Sequence, residues 1–148
     1  MAKIKAINIS NMDGKNTFYV NQAILCKNKG IINDRYYQNY KENYEQVTLI
    51  ESEKIDDFNK KTKNKFKYKD FRRNIITSGI NLNNTLTKKI QINNVILKVH
   101  QLCQPCKYLQ NKLGVENLVK LLVHKSGVRA EILRSGEIST YSHIKIFK

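Results

Sequence analysis

Short runs of alternating apolar and polar residues, separated by turn-forming residues, recur along the whole chain. Residues 3–9 alternate with a period of two, which is typical of a strand with one buried face. Residues 90–99 fit a hairpin that turns at Asn93 and Asn94. Further strands are predicted at 18–20, 23–25, 45–50, 127–133 and 144–147, and short helices at 51–58, 107–112 and 115–122. This pattern predicts a mainly β fold, a closed or partly open barrel with a few short helices.

The chain is strongly basic, with a net charge of +15. Such a charge is compatible with nucleic-acid binding, because a basic face releases counterions from phosphates. However, 22 of the 27 basic residues are lysines, and they are scattered except for a dense group at 60–69. We interpret that group as a solvated, mobile basic loop, so nucleic acid is not the expected partner. The alternative is a non-catalytic basic module that binds nucleic acid or another anionic partner through this loop and a barrel face.

Length and cysteine content narrow the class of protein. A chain of 148 residues can bury roughly 70% of its unfolded surface, so we expect a single domain over residues 1–148. Three cysteines are too few, and odd in number, for a secreted disulfide framework. The first residues alternate instead of forming an apolar export signal, and no window is apolar enough to span a membrane. We therefore expect a cytoplasmic protein without a membrane partner.

Two of the cysteines, Cys103 and Cys106, stand three positions apart at the end of a predicted strand, with the chain's only proline between them. Pro105 fixes its own φ and biases Gln104 toward extended backbone, which favours a rigidly held Cys106. A thiol pair of this spacing is compatible with redox exchange, metal binding or simple packing.

Four interpretations of the pair stay open on the sequence. Redox exchange is typically preceded by a βαβ unit, which the pattern lacks. A structural zinc site would use His100 with both cysteines and either His124 or His143, at spacings that do not favour it. Packing as a small hydrophobic side chain is the favoured interpretation of Cys103. In the fourth, the Cys106 thiolate ligates a soft transition metal in a bound cofactor.

A cofactor of that kind would also need donors for a phosphate-bearing organic part. Segment 71–80 offers an arginine, an amide and two hydroxyls beside a glycine, namely Arg72, Asn74, Thr77 and Ser78. Arginine binds phosphate as a planar fork, and amides and hydroxyls are adaptable partners.

Five segments, taken in order, resemble the MOSC domain, the fold named after the C-terminal part of molybdenum-cofactor sulfurase. They are Gly-Ile-Ile-Asn-Asp-Arg at 30–35, Gln-Val-Thr-Leu-Ile-Glu-Ser-Glu at 46–53, Phe-Arg-Arg-Asn-Ile with Thr-Ser-Gly-Ile at 71–80, Cys-Gln-Pro-Cys at 103–106, and Gly-Val-Arg-Ala-Glu-Ile-Leu at 127–133 before Gly-Glu-Ile at 136–138. The chain is thus similar to a small stand-alone member of that family.

The resemblance implies a β barrel that binds the molybdenum cofactor, a molybdenum–pterin compound. It implies that Cys106 is the protein ligand to molybdenum or carries sulfur, and that Arg72 and Asn74 hold the phosphate or pterin. The candidate cofactor contacts are then Asp34, Arg35, Arg72, Asn74, Thr77, Ser78 and Gln104.

The implied activity is either a molybdenum-dependent oxidoreductase that reduces N-oxygenated substrates or a carrier of sulfur or cofactor. The implied partners are cofactor biosynthesis or delivery proteins and an electron-donor protein. The chain departs from the family pattern at three places: Asn33 stands for the usual glycine before Asp34, Arg73 for a proline, and Ser142-His143 for Gly-Asp. Because asparagine tolerates positive φ better than most residues, we expect the turn at Asn33 to be preserved.

Overall fold

The computed structural model describes residues 1–10, 17–38 and 46–147. The first residue of the strand predicted at 45–50 lies outside these ranges. The strands are β1 (Lys3–Ser10), β2 (Thr17–Val20), β3 (Gln22–Cys26), β4 (Gly30–Ile31), β5 (Val47–Glu51), β6 (Ile75–Ser78), β7 (Lys89–Ile92), β8 (Val95–Leu102), β9 (Val128–Arg134), β10 (Gly136–Ser139) and β11 (Ile144–Ile146). The helices are α1 (Ser52–Thr62), α2 (Lys107–Leu113) and α3 (Leu118–Leu121), with 3-10 turns at Tyr68–Phe71 and Leu82–Thr85.

Eight strands form one large sheet in the order β11, β7, β8, β9, β5, β6, β1, β2, and the other three form a small sheet in the order β10, β3, β4. Neighbours in the large sheet are antiparallel except β5 and β6, which are parallel. A bridge between Lys3 and His143 brings the β11 edge to the start of β1, and Ile144 N–H donates to the Ala2 carbonyl at 2.9 Å. The described chain is therefore a mainly β, partly open barrel, which confirms the predicted fold class.

Each face of the large sheet has its own apolar core. The inner core lies between the two sheets and joins aliphatic side chains of both, including Leu25 and Ile138 from the small sheet. The outer core lies under the three helices, where Phe58, Phe71 and Leu118 cover side chains of β1, β5 and β6. In the described part of the chain, no residue of β7, β8 or β9 belongs to this outer core.

The hairpin predicted at 90–99 is present, because β7 and β8 pair antiparallel with Ile92 opposite Val95. Asn93 takes the left-handed conformation that its tight turn requires, with φ 53°. The alternation of residues 3–9 likewise appears as β1. The sequence was sufficient to predict the hairpin and β1, because the turn and the alternation are each encoded by adjacent residues.

The lysine-rich stretch 60–69 differs from the mobile loop that the sequence predicts. Its first residues complete α1, which ends where Lys63 takes the left-handed conformation. The Asn59 side chain then donates to the Phe66 carbonyl at 2.9 Å and accepts from Phe66 N–H at 3.1 Å. The Phe66 ring lies against Phe58 and Phe71, with centroids 6.4 and 6.3 Å away. The lysines are exposed or half-buried, but an amide and an aromatic anchor hold the stretch in place.

One predicted helix is too long, because the helix predicted at 115–122 covers only Leu118–Leu121. The strand β10, which begins at Gly136, was not predicted. β10 pairs with β3, more than a hundred residues earlier, so its partner cannot be read from local sequence. No helix in the described ranges is long and apolar enough to cross a membrane.

Candidate functional site

A cleft of about 370 Å³ opens on the outer side of the large sheet, where β1 ends and β5 and β9 begin. Ser10, Thr48 and Arg129 reach it from these strand ends, each next in sequence to a residue of the inner core. The remaining walls come from the turn after β4, from segment 71–74 before β6, and from residues at and before the start of α2. We call it the arginine cleft, because four arginines line it: Arg35, Arg72, Arg73 and Arg129.

The turn after β4 places an acid and a base side by side in the cleft. Asn33 has φ 73°, as expected from its glycine-like position. Asp34 is buried, and its carboxylate accepts from Ser10 N–H at 2.8 Å and Tyr36 N–H at 3.4 Å. Burial raises the pKa of the Asp34 carboxyl, and the backbone donors and Arg35 oppose that rise. Arg35 N–H donates to the Ser10 carbonyl at 2.9 Å, so this turn is tied to the end of β1.

Two guanidinium groups lie against exposed tyrosine rings at the mouth of the cleft. Arg35 Cζ is 4.3 Å from the Tyr36 ring centroid, and Arg35 Nη2 donates to the Tyr36 hydroxyl at 2.7 Å. Arg72 Cζ is 5.9 Å from the Tyr108 ring centroid. These contacts hold both guanidinium groups in defined positions in the cleft wall.

Arg72 is a half-buried cation in the wall of the cleft. It occupies the left-handed conformation, with φ 62°, at the end of the Tyr68–Phe71 turn. Burial lowers the pKa of the Arg72 guanidinium, and the neighbouring charge of Arg35 lowers it further. Tyr108, Tyr36 and Asp34 oppose this fall, and an anion bound beside Arg72 would likewise favour its charged form.

Four of the chain's five arginines line this one cleft: Arg35, Arg72, Arg73 and Arg129. Among the described residues that line it, Asp34 is the one carboxylate. A guanidinium group is permanently charged and offers five donors in a planar fork that matches phosphate. The donor set therefore suits an anionic ligand that carries phosphate.

Cys106 is the exposed thiol of the cleft. It has extended backbone, with φ −120° and ψ 154°, and caps α2 by accepting a hydrogen bond from Leu109 N–H on Sγ at 3.4 Å. Cys103 is only 1% exposed, its N–H donates to the Gly127 carbonyl at 2.8 Å, and burial raises the pKa of its thiol. A bound molecule could reach Cys106, whereas Cys103 is a packed side chain.

Asn74 is a buried residue of the cleft lining that ties strands β1 and β5 to the segment before β6. Its Oδ1 accepts from both Thr48 N–H and Thr48 Oγ1 at 3.1 Å, and its own N–H donates to Thr48 Oγ1 at 3.0 Å. Its Nδ2 donates to the Asn8 carbonyl at 3.2 Å. These bonds join β5, β1 and the segment before β6, so Asn74 positions the cleft walls.

Comparison with known proteins identifies the family. A model of the MOSC domain family matches residues 37–145. The chain belongs to the MOSC domain family. No curated protein sequence matches it significantly.

Solved structures share the fold of this MOSC domain. YuaD from Bacillus subtilis superposes with a TM-score of 0.84 at 15% identity, covering 98% of this chain and 94% of that one. YiiM from Geobacillus stearothermophilus superposes with a TM-score of 0.81 at 18% identity, covering 100% and 76%. YiiM from Escherichia coli gives 0.77 at 15% identity, covering 99% and 70%. At these identities the likeness is one of fold.

The arginine cleft of this MOSC domain brings together six of the eight predicted site residues: Asp34, Arg35, Arg72, Asn74, Gln104 and Cys106. Thr77 and Ser78 do not line it. Thr77 is fully buried and its Oγ1 donates to the Ile50 carbonyl at 3.4 Å, and Ser78 pairs with Lys3 of β1. The physical reason is direction, because β6 begins beside the cleft and runs away from it.

Sequence reasoning did not select Arg73, Arg129, Tyr36 or Tyr108 as cleft residues. The sequence did contain a signal for the arginines, because arginine is rare in this chain, with five arginines against 22 lysines. Four of the five lie in the cleft. The tyrosines adjoin or nearly adjoin motif residues, but nothing in their spacing indicates that they flank an opening. Strand pairing brings Arg129 opposite Thr48, which local sequence cannot show.

The histidine of the zinc interpretation has another partner. His100 Nε2 lies 2.8 Å from the Glu131 carboxylate on the neighbouring strand. Within the described residues, no three His, Cys, Asp or Glu side chains gather as a metal-binding cluster. Geometry therefore gives no support to a site built from His100, Cys103 and Cys106.

Proposed function

We propose that the arginine cleft of this MOSC domain binds the molybdenum cofactor, with Cys106 as the ligand to molybdenum or as a carrier of sulfur. The observation that carries the proposal is the convergence of four arginines and one exposed thiol in a single cleft. The MOSC family is associated with this cofactor, which supports the assignment.

The residues present fit such a group. The cleft volume of about 370 Å³ lies within the range of small-molecule sites. The arginines suit the phosphate, and a cysteine thiolate suits a soft transition metal. Arg35 and Arg72 are close enough to influence each other's charge, which suits a site for an anion.

The residues divide into contacts and supports. Arg35 and Arg72 bind the phosphate, and the exposed Gln104 amide adjoins the thiol side of the cleft. Asp34 supports Arg35 by holding its turn against β1. Asn74 is a positioning residue, because its amide already bonds to β5 and β1. This differs from the expectation that Asn74 holds the cofactor directly.

Molybdenum, when bound, supplies two-electron redox chemistry. The chain would then act either as an oxidoreductase for N-oxygenated substrates or as a carrier that passes sulfur or cofactor to another protein. In both cases the Cys106 sulfur contacts the molybdenum or carries the transferred sulfur, and the arginines provide the binding energy for the phosphate. Partners would be cofactor biosynthesis or delivery proteins and, for the oxidoreductase, an electron-donor protein.

The test is to purify the protein from a molybdenum-competent cell and measure molybdenum by mass spectrometry and pterin by fluorescence. Both are expected in equal amounts in the wild type and to fall sharply in Arg72→Ala. The matched control is Arg134→Ala, which removes the one arginine outside the cleft and should leave both unchanged. Absence of molybdenum and pterin, with salt-resistant retention on a nucleic-acid column, would contradict the proposal and favour a basic nucleic-acid-binding module.

A further inference from the structure

The outer face of β7, β8 and β9 is a second concave surface, distinct from the arginine cleft. It encloses about 770 Å³ and is lined by Lys88, Lys89, Ile96, Lys98, Leu133 and Arg134, with Phe147 at its edge. We call these residues the basic face. The helices cover the outer side of β1, β5 and β6, and in the described part of the chain none of them contributes to the lining of this surface.

An apolar floor lies inside a ring of positive charge. Ile96 and Leu133 are half-buried side chains that point outward from the sheet, and Phe147 extends the floor at the β11 edge. The Phe147 backbone N–H donates to the Lys89 carbonyl at 2.9 Å, which keeps Phe147 against β7. Removal of such a floor from water is favourable, so it is a suitable anchor for an apolar side chain of a partner.

The charges around the floor are held in place or point to solvent. Lys98 Nζ donates to the Thr87 carbonyl at 2.6 Å, and Arg134 Nε donates to the Asn94 carbonyl at 2.6 Å. Lys88 and Lys89 are exposed. No carboxylate lines the surface among the described residues. Glu131, which is the cross-strand partner of Lys98, bonds through its carboxylate to His100.

We propose that the basic face docks an acidic segment of a partner protein that carries an apolar anchor. Charge complementarity selects this occupant. A second copy of the chain is disfavoured, because each copy carries a net charge of +15. Nucleic acid is disfavoured because two of the three floor side chains are aliphatic, whereas base stacking uses aromatic rings.

The partner would dock close to the arginine cleft. Arg129 lies in the cleft and Leu133 on the basic face, four residues apart on the same side of β9. That separation is about 13 Å at the rise of a β-strand. The docking site does not depend on the proposed cofactor, and its test can fail or succeed independently of molybdenum content.

Fluorescence anisotropy with a labelled synthetic peptide of alternating glutamate and leucine tests the site. The double variant Lys88→Glu/Lys89→Glu should weaken binding about tenfold, as expected when two favourable charge contacts become repulsive. The control Lys60→Glu/Lys120→Glu makes the same change of net charge at exposed helical sites and should alter binding less than about twofold. Equal weakening by both pairs would overturn the proposal, since it would show attraction to net charge alone.

Two further probes test the floor and the occupant. A peptide of alternating glutamate and serine should bind about tenfold more weakly than the leucine peptide, and Leu133→Ser should remove that difference. Amide chemical shifts of residues in β7, β8 and β9 should change on binding of the leucine peptide, and the serine peptide should need about tenfold higher concentration to change them to the same degree. Equal affinity for both peptides, or tighter binding of oligothymidylate at the same residues, would overturn the proposal.

Discussion

Arg72 and Arg73 are adjacent in sequence but have different surroundings. Arg72 is half-buried beside Arg35 and stacks on Tyr108. Arg73 lines the cleft too, but its Nε donates to the Ser126 carbonyl at 3.0 Å, which ties it to the loop before β9. Arg72 is therefore the better placed of the two to bind an anion, and Arg73 also supports the fold.

Arg72→Ala should weaken sulfate binding, measured by isothermal titration calorimetry, by about tenfold, the loss expected for one charge-assisted contact. Arg73→Ala should weaken it less and should lower the free energy of unfolding by about 1 kcal/mol, the typical value of one hydrogen bond. The opposite order of affinities would indicate that the alignment of the Phe-Arg-Arg-Asn segment with the family motif is shifted by one residue.

Asp34 makes anion binding depend on pH. Its pKa is raised above the ordinary value of 3.8, so lowering the pH toward that raised pKa removes a negative charge from the cleft. Sulfate keeps its charge over this range, so its affinity should increase by about threefold as the pH falls from neutral toward the Asp34 pKa, the effect of one charge several ångströms away in a solvated site. In Asp34→Asn this dependence should be absent, because the amide keeps an oxygen for Ser10 N–H but does not titrate.

The raised pKa of Asp34 also makes the stability of the fold depend on pH. Because the folded state holds the Asp34 proton more tightly than the unfolded state, the stabilisation due to protonated Asp34 is present below about pH 4 and is lost as the pH rises through the raised pKa. The affinity prediction has its own contradicting outcome. A sulfate affinity that does not change with pH in either the wild type or Asp34→Asn would show that Asp34 does not face the bound anion.

The elements around Gly127 show how tightly the cleft walls are joined. Gly127 has φ +87°, and a Cβ built on it would lie 1.9 Å from the Leu49 carbonyl oxygen of β5. Its own carbonyl accepts from Cys103 N–H at 2.8 Å. This one residue therefore sets the approach of β9, β5 and the cysteine segment.

Gly127→Ala should lower the free energy of unfolding by about 3 kcal/mol, because it adds steric overlap to backbone strain. Gly114→Ala is the matched control, since Gly114 also has positive φ, 67°, but its Cβ would meet nothing within 4 Å. The control should cost about 1 kcal/mol, which is the strain alone. Urea unfolding measures both, and equal losses would show that Leu49 moves aside without cost.

Elements whose signal lies in adjacent residues could be predicted, and elements fixed by distant pairing could not. The turn at Asn33 and the hairpin at Asn93 follow from residues that tolerate positive φ. β10 and the role of Arg129 depend on partners far away in sequence. Thr77 and Ser78 lie along β6 and do not line the cleft, because composition indicates which groups are present, whereas strand direction determines where they lie.

Across the whole molecule, lysine and arginine occupy different places. Three lysines and Arg134 provide the charges of the basic face, further lysines lie in the anchored 60–69 stretch, and the other four arginines converge in the cleft. Both surfaces lie on the outer side of the large sheet, linked through β9. The proposed ligand site and the proposed docking surface thus use only part of the chain's positive charge, and a single domain over residues 1–148 stays a prediction.

Molybdenum content per chain tests the central claim most directly, when wild type, Cys106→Ala and Cys103→Ala are purified side by side from a molybdenum-competent cell and their thermal unfolding midpoints confirm that each is folded. The exposed Cys106 lies in the arginine cleft and Cys103 is buried outside it. The account predicts that Cys106→Ala loses its molybdenum and Cys103→Ala retains most of it. Equal loss from the two substitutions would contradict it and would indicate a disulfide or a shared metal site.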